Sequence, residues 1–371
     1  MDNIAIVHER WTDIAGSEHV VRQLAQTWPT AAIHVPFAKP ELVPADLADR
    51  FRTGRLQGAY RALREKTYAP LLPLVPTALR RGSLAQDTGA DAVVVSHHAF
   101  ALAAVGALDV PSVAYVHSPA RWAWDAQLRR GEASGLLSGA ALRMLAARAK
   151  ANELAWAPQV TGIVANSTAV RERIRHRWDR DATVVHPPVD TTYFQPGPGP
   201  ARGDYFISVG RLVPYKQVPL AVAAAVRAGV RLIVVGDGRD LARAQSLAGP
   251  GVEFRGRLPG EEMRELIRGA RALLMPGEED FGIVPVEAMA CGTPVIALGR
   301  GGALDTVRPG VTGELVAGDT DEEVVANLAA ALRDFDDTRY TTARLTAWAG
   351  EFSPANFRRK MADVVAGVLA G

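Results

Sequence analysis

ALLMPGEEDFGIVPVEAMACGTPVIALG, residues 272–299, is the stretch whose reading decides the fold. Its two ends, ALLMP and PVIAL, are short apolar runs bounded by turn residues, as buried strands are. GEEDF reads as a loop and GIVPVEAMACG as a helix. Pro285 is tolerable only in a helix's first turn, and Gly292 suits the position just past its end. Strand, helix and strand in such close succession signal a parallel sheet with crossover helices. The same stretch places one carboxylate, Glu279, in the loop and a second, Glu287, about one turn into the helix. A buried helix start gains nothing from carboxylates unless something nearby needs them.

The alternation extends along the chain. NIAIVHE, AAIHVPF, DAVVVSH, SVAYVHS, GIVANS and ATVVHPP are strand candidates in the first half. DYFISVG, RLIVVGD, VEFRGRL, ALLMPG, PVIALG and GELVA are those of the second. Each set suits one doubly wound sheet, its strands continuous in apolar character because both faces are covered. The Pro- and Gly-rich segment from Asp190 to Gly203 marks the seam. The expected domains are 1–190 and 204–346, with a terminal helix, 353–371, packing back on the first. Two such α/β domains facing each other leave a cleft lined by strand C-termini, where open sheets bind ligands.

Composition sets outer limits. With 371 residues the chain exceeds one ordinary core, and 48% hydrophobic with 22% charged residues is globular. A net charge of +2 argues neither for nor against nucleic acid, and no nucleic-acid partner is expected. The single cysteine, Cys291, excludes an internal disulfide and any cysteine-cluster metal site. No apolar signal-peptide core opens the chain, and its longest apolar run falls well short of the roughly 20 residues of a spanning helix. A cytoplasmic protein is expected, with a peripheral place at the inner face of a membrane as its extension. That extension comes from Arg50 to Arg81, where eight basic residues face one acid, Glu65, and Phe51, Leu56, Tyr60, Leu63 and Tyr68 interleave. Such a run is either a solvated face or a surface for anionic lipid or an anionic acceptor.

Four loops after strands carry unusual residues. In HERWTDIAGSEHVV, Gly16 and Ser17 open a helix whose N–H groups can face an anion. In YVHSPARWAWD, His117 ends a strand and Arg121, Trp122 and Trp124 follow; aromatic faces suit sugars and arginine suits phosphate. In SVGRLVPYKQ, Arg211 and Lys216 bring positive charge to the expected cleft, where a diphosphate could be held without metal. No Asp-x-Asp or His/Asp cluster stands ready for Mg²⁺ or Mn²⁺. In the opening stretch, Phe281 and Gly282 present N–H groups at the helix start, between two carboxylates able to accept from vicinal hydroxyls. Two polyol rings joined by a diphosphate, a nucleotide sugar, fit that pattern.

With these motifs the chain resembles the retaining glycosyltransferases of family 4 over nearly its whole length. The carrying residues are the glutamate pair Glu279 and Glu287 followed by GTPVIALGRGG, the loop GRLVPYK, the histidine of YVHSP, and AGSEHVV in place of the family's glycine-rich loop. The resemblance implies the GT-B fold, two facing Rossmann-like domains. It implies that Glu279 binds the transferred sugar, with the backbone of Phe281, Gly282 and Ile283 beside it. Glu287 would hold the ribose, Arg211 and Lys216 the leaving diphosphate, and Arg257-Leu258 the base. Gly16 and Ser17 would approach the diphosphate, and His117 would face the reacting sugar. Arg121, Trp122 and Trp124 would lie on the acceptor side. It further implies no cofactor or metal, a nucleotide-sugar donor with GDP-mannose as the best match, and a glycan, glycolipid or small-molecule acceptor. A nucleotide-sugar epimerase of the same fold, or a sugar-nucleotide-binding subunit without turnover, are the alternatives.

Overall fold

The computed structural model describes residues 3–87, 89–125, 136–198 and 202–371. The chain forms two compact units, Met1–Pro188 with Ala355–Gly371, and Val189–Pro354.

The first unit holds a seven-stranded sheet, all of whose pairings are parallel. Its strands are β1 (Ile4–His8), β2 (Ala32–Val35), β3 (Phe51–Thr53), β4 (Ala92–His97), β5 (Ser112–Val116), β6 (Gly162–Ala165) and β7 (Thr183–Val184). Their order is β3-β2-β1-β4-β5-β6-β7. Residues of β1, β4 and β5 are buried throughout, as expected of strands with helices on both faces. The helix Pro354–Ala370 sends Phe357, Met361 and Val365, one turn apart, into the core that Ile4, Val20 and Tyr115 share.

β3 has no counterpart among the expected strands. It is three residues long at the sheet edge with two exposed positions, too short for a periodic signal. It lies in the basic run, which the structure takes apart. Tyr60 is fully buried, and Leu56, Leu63 and Tyr68 pack against the same core cluster. Phe51 sits edge-on to Trp11. These side chains face inward, so the interleaved aromatics are not a membrane-facing surface. Arg50 is not a surface charge either. Its guanidinium donates to the carbonyls of Ala31, Ala25 and Trp28 at 2.8, 2.9 and 2.8 Å, closing the C-terminal end of the helix Gly16–Thr27. Arg50→Ala is expected to cost about 2 kcal/mol in urea unfolding, since charged hydrogen bonds to the carbonyls around the helix end are lost. Arg61→Ala, on an exposed position, should stay within about 0.5 kcal/mol of the parent.

The second unit holds six strands, again all parallel: β8 (Tyr205–Val209), β9 (Arg231–Val235), β10 (Val252–Gly256), β11 (Leu273–Met275), β12 (Val295–Leu298) and β13 (Gly313–Val316). Their order is β10-β9-β8-β11-β12-β13. This unit reaches beyond 204–346 at both ends because flanking segments pack on it. Val189 N–H donates to Phe352 O at 2.9 Å, and Arg268 donates to Gln195 O at 2.7 Å. Among the described residues, no helix is long and apolar enough to cross a membrane.

Candidate functional site

In the second sheet the strand order reverses between β8 and β11, the point at which an open parallel sheet binds ligands outside its strand ends. Arg211 and Lys216 lie on the loop leaving β8, and Glu279 and Gly282 on the loop leaving β11. All four line one pocket together with Gly210 and Pro285. Close backbone approach builds it. A Cβ on Gly277 would stand 2.4 Å from the Tyr215 carbonyl oxygen, and one on Gly302 would stand 2.2 Å from that of Phe281. Only glycine permits either contact. Gly302 N–H also donates to Glu279 O at 2.9 Å, so the run GRGG fixes the loop that carries Glu279.

The loops come close enough for Lys216 Nζ to lie 2.5 Å from Glu279 Oε1, with both side chains mostly buried. The sequence had suggested separate tasks for this lysine and this carboxylate; the structure pairs them. Gly282, with φ of 88°, turns the chain into the helix Ile283–Ala290. Phe281 points away, buried against Phe352 at 5.6 Å, so it can offer a ligand only its backbone. Ile283 and Glu287 are half-buried on that helix. Burial pushes the Glu287 carboxyl up to about 7, and the charge of Lys216 offsets this only in part. Arg257 and Leu258 follow β10, two strands from β8 at the sheet edge, and do not line the pocket.

The first unit has its own reversal point, between β1 and β4. His117, just after β5, is half-buried with its Nε2 2.8 Å from Ser96 Oγ on β4. It stacks on His98 at 4.4 Å and meets the Tyr115 ring edge-on at 5.2 Å. Burial, with His98 and His8 nearby, holds its pKa well below the usual range, so the ring is neutral at pH 7. Gly16 and Ser17 open the helix Gly16–Thr27, but Ser17 Oγ donates to Glu18 Oε2 at 2.7 Å. A carboxylate therefore already occupies the end of that helix.

Trp124 serves the fold. Its indole N–H donates to Glu153 Oε2 at 2.5 Å, and Lys150 and Arg177 lie over its ring at 4.9 and 5.5 Å. Glu153 is fully buried and also accepts from Ala120 N–H at 2.7 Å and Trp178 Nε1–H at 3.2 Å. Those bonds hold the loop after β5, on whose short helix Arg121 and Trp122 are half-buried. Sequence reasoning missed His8, Ser96, His98 and Glu18. For two of them the signal was available: His8 and Ser96 are polar residues closing the apolar runs NIAIVHE and DAVVVSH, the strands on either side of the reversal. Among the described residues, no group of three or more His, Cys, Asp or Glu side chains could hold a metal ion.

Comparison with known proteins matches both units. Residues 14–193 match the family model Glycosyltransferase Family 4, and residues 190–344 match Glycosyl transferases group 1. The chain is 35% identical over 181 residues to a D-inositol 3-phosphate glycosyltransferase of Mycobacterium avium, covering 43% of each protein. It is 31% identical over 234 residues to that of Thermobispora bispora, covering 54% of this chain and 55% of that protein. The matched regions thus span about half the length of these curated relatives. In structure, the chain is similar over its whole length to sucrose-phosphate synthase from Thermosynechococcus elongatus, with a TM-score of 0.72 and 19% identity. Anabaena HepE in complex with UDP-glucose gives a TM-score of 0.69 at 19% identity, covering 98% of this chain and 99% of that one.

Proposed function

We propose, for a chain of GT-B fold whose two halves belong to the family 4 and group 1 glycosyltransferase domain families, that it transfers a hexose from a nucleotide sugar to an acceptor hydroxyl. The observation carrying this reading is the pocket at the β8–β11 reversal, where Arg211, Lys216 and Glu279 meet beside the half-buried Glu287. On this reading an arriving donor separates the Lys216–Glu279 pair. Its diphosphate takes the ammonium and Arg211, and hydroxyls of its sugar take the carboxylate. As the glycosidic bond breaks, charge grows on the leaving diphosphate, where Lys216 and Arg211 stabilise it more than in the ground state. Transfer proceeds with retention and without a metal, the departing diphosphate oxygen helping to take the proton of the attacking hydroxyl.

GDP-mannose is the donor the motifs suggest; HepE was solved with UDP-glucose and so supports testing a uridine donor beside it. Calorimetry with GDP-mannose, UDP-glucose, ADP-glucose and a dTDP-hexose should give one base a clear preference. Turnover should then require an acceptor and persist in EDTA. Donor consumption with no acceptor present would favour the epimerase reading, and loss of turnover in EDTA, restored by Mg²⁺ or Mn²⁺, would overturn the metal-free route.

The raised Glu287 pKa gives this reading a pH signature. A ribose diol donates to the ionised carboxylate, so nucleotide binding must remove any proton there. Nucleoside diphosphate affinity should be level well above pH 7 and fall about tenfold between about pH 8 and about pH 6. The slope should vanish in Glu287→Gln. Affinity that rises as pH falls would place the diol elsewhere.

A further inference from the structure

We propose that Trp348 and Phe352 are positioning residues for Glu279, holding the loop that carries its carboxylate from the side away from the pocket. The inference rests on the reading above, in which Glu279 grips the transferred sugar. Every residue in it belongs to the unit Val189–Pro354, and neither Trp348 nor Phe352 lines the pocket.

The first hold is on Phe281, the one aromatic side chain of the loop 276–282. Its buried ring meets that of Phe352, also buried, at 5.6 Å, and Trp348 meets Phe352 edge-on at 5.1 Å. Phe352 is fixed independently of the loop. Its N–H donates to Ala349 O at 3.0 Å, and its carbonyl accepts from Val189 N–H at 2.9 Å. Two residues after Glu279 the chain is therefore packed on a ring whose backbone is held on both sides.

The second hold reaches Glu279 itself. Trp348, half-buried near the end of the helix Thr342–Gly350, donates its indole N–H to Thr306 O at 2.6 Å. The Arg308 guanidinium lies 3.4 Å over the same ring. Thr306 is fully buried and donates both its backbone N–H and its hydroxyl to Gly302 O, each at 3.1 Å. Gly302 N–H in turn donates to Glu279 O, and a Cβ on Gly301 would collide with that same oxygen. No side chain lies between the two backbones, so a shift of Gly301 and Gly302 has no slack to absorb it before Glu279. Trp348 and Phe352 are four residues apart, and one short segment thus closes both holds. On the pocket side Glu279 is met by Lys216. Once a donor diphosphate takes that ammonium, the backbone holds keep the carboxylate where the sugar hydroxyls arrive.

The test is calorimetric titration of the full chain with UDP-glucose and UDP, and with GDP-mannose and GDP, whichever pair binds. The quantity read is the ratio of the sugar-nucleotide to the nucleoside diphosphate dissociation constant, which isolates the hexose. Phe352→Leu keeps an apolar side chain but loses the ring face. It should raise that ratio about fivefold, a share of what a hydrogen bond to a charged group contributes, and leave nucleoside diphosphate affinity within about twofold. Trp348→Phe keeps a ring and loses the N–H, and should raise the ratio about threefold. It carries the test alone where Phe352→Leu does not fold. In a Glu279→Ala background neither substitution should move the ratio further, because both act through that carboxylate. Shifts of equal size in both backgrounds, no shift in the parent, or equal losses of sugar-nucleotide and nucleoside diphosphate affinity would overturn the proposal. A ratio unmoved by Glu279→Ala alone would overturn the sugar-gripping reading itself, a different result from additive shifts.

Discussion

Glu279→Ala is expected to lose roughly a hundredfold in kcat while binding the free nucleoside diphosphate almost as the parent does. The residue is placed to hold the transferred sugar, whose ring flattens and gains positive charge in the transition state, and the nucleotide product lacks that ring. A hydrogen bond to a charged group is worth about 1.5–3 kcal/mol, which covers a loss of this size. Glu287→Ala should behave differently. The ribose it is proposed to grip is the same in donor and product, so the cost of about 1–3 kcal/mol should fall on KM and on nucleotide affinity together. Calorimetric titration of the nucleoside diphosphate into both variants, beside initial rates, separates the two roles. Equal loss of nucleotide affinity in both would refute the division. The Lys216–Glu279 pair adds a refinement: Glu279→Ala leaves Lys216 without its anionic neighbour, so the product diphosphate could bind slightly better than to the parent.

Lys216→Ala should reduce kcat by roughly 10²–10³, the scale for removing one preorganised group aimed at developing charge. Two further consequences follow from the geometry. Glu279, mostly buried, would lose the ammonium 2.5 Å away, so its carboxylate would stand unpaired and close to the incoming diphosphate. Glu287 would lose the one nearby charge that holds its pKa down, and nucleotide binding should become steeper at neutral pH, its decline beginning at higher pH than in the parent. Rates and affinities measured from about pH 6 to about pH 9 read both effects. A fall in donor affinity with kcat unchanged, and no move in the pH profile, would limit Lys216 to ground-state binding.

The sequence by itself determined the elements. Among the described residues, twelve of the thirteen strands coincide with runs legible in the chain, most of them because a strand buried on both faces announces itself in composition. The turn into the helix Ile283–Ala290 was legible for a similar reason: Gly282, Pro285 and Gly292 have conformational demands that depend on their immediate neighbours. Strand order and side-chain pairing were not legible. Nothing in the runs NIAIVHE and DAVVVSH states that β1 lies beside β4, yet that adjacency brings His8 to Ser96 and, through β5, to His117. Composition equally made Arg50 and Trp124 look like surface and ligand groups, whereas the fold commits them to the carbonyls of Ala25, Trp28 and Ala31 and to the buried Glu153. Local pattern records which faces must leave water. Which polar partners meet, here Lys216 with Glu279 across 63 residues of chain (279 − 216), is decided by how those faces pack, and that is a property of the tertiary structure.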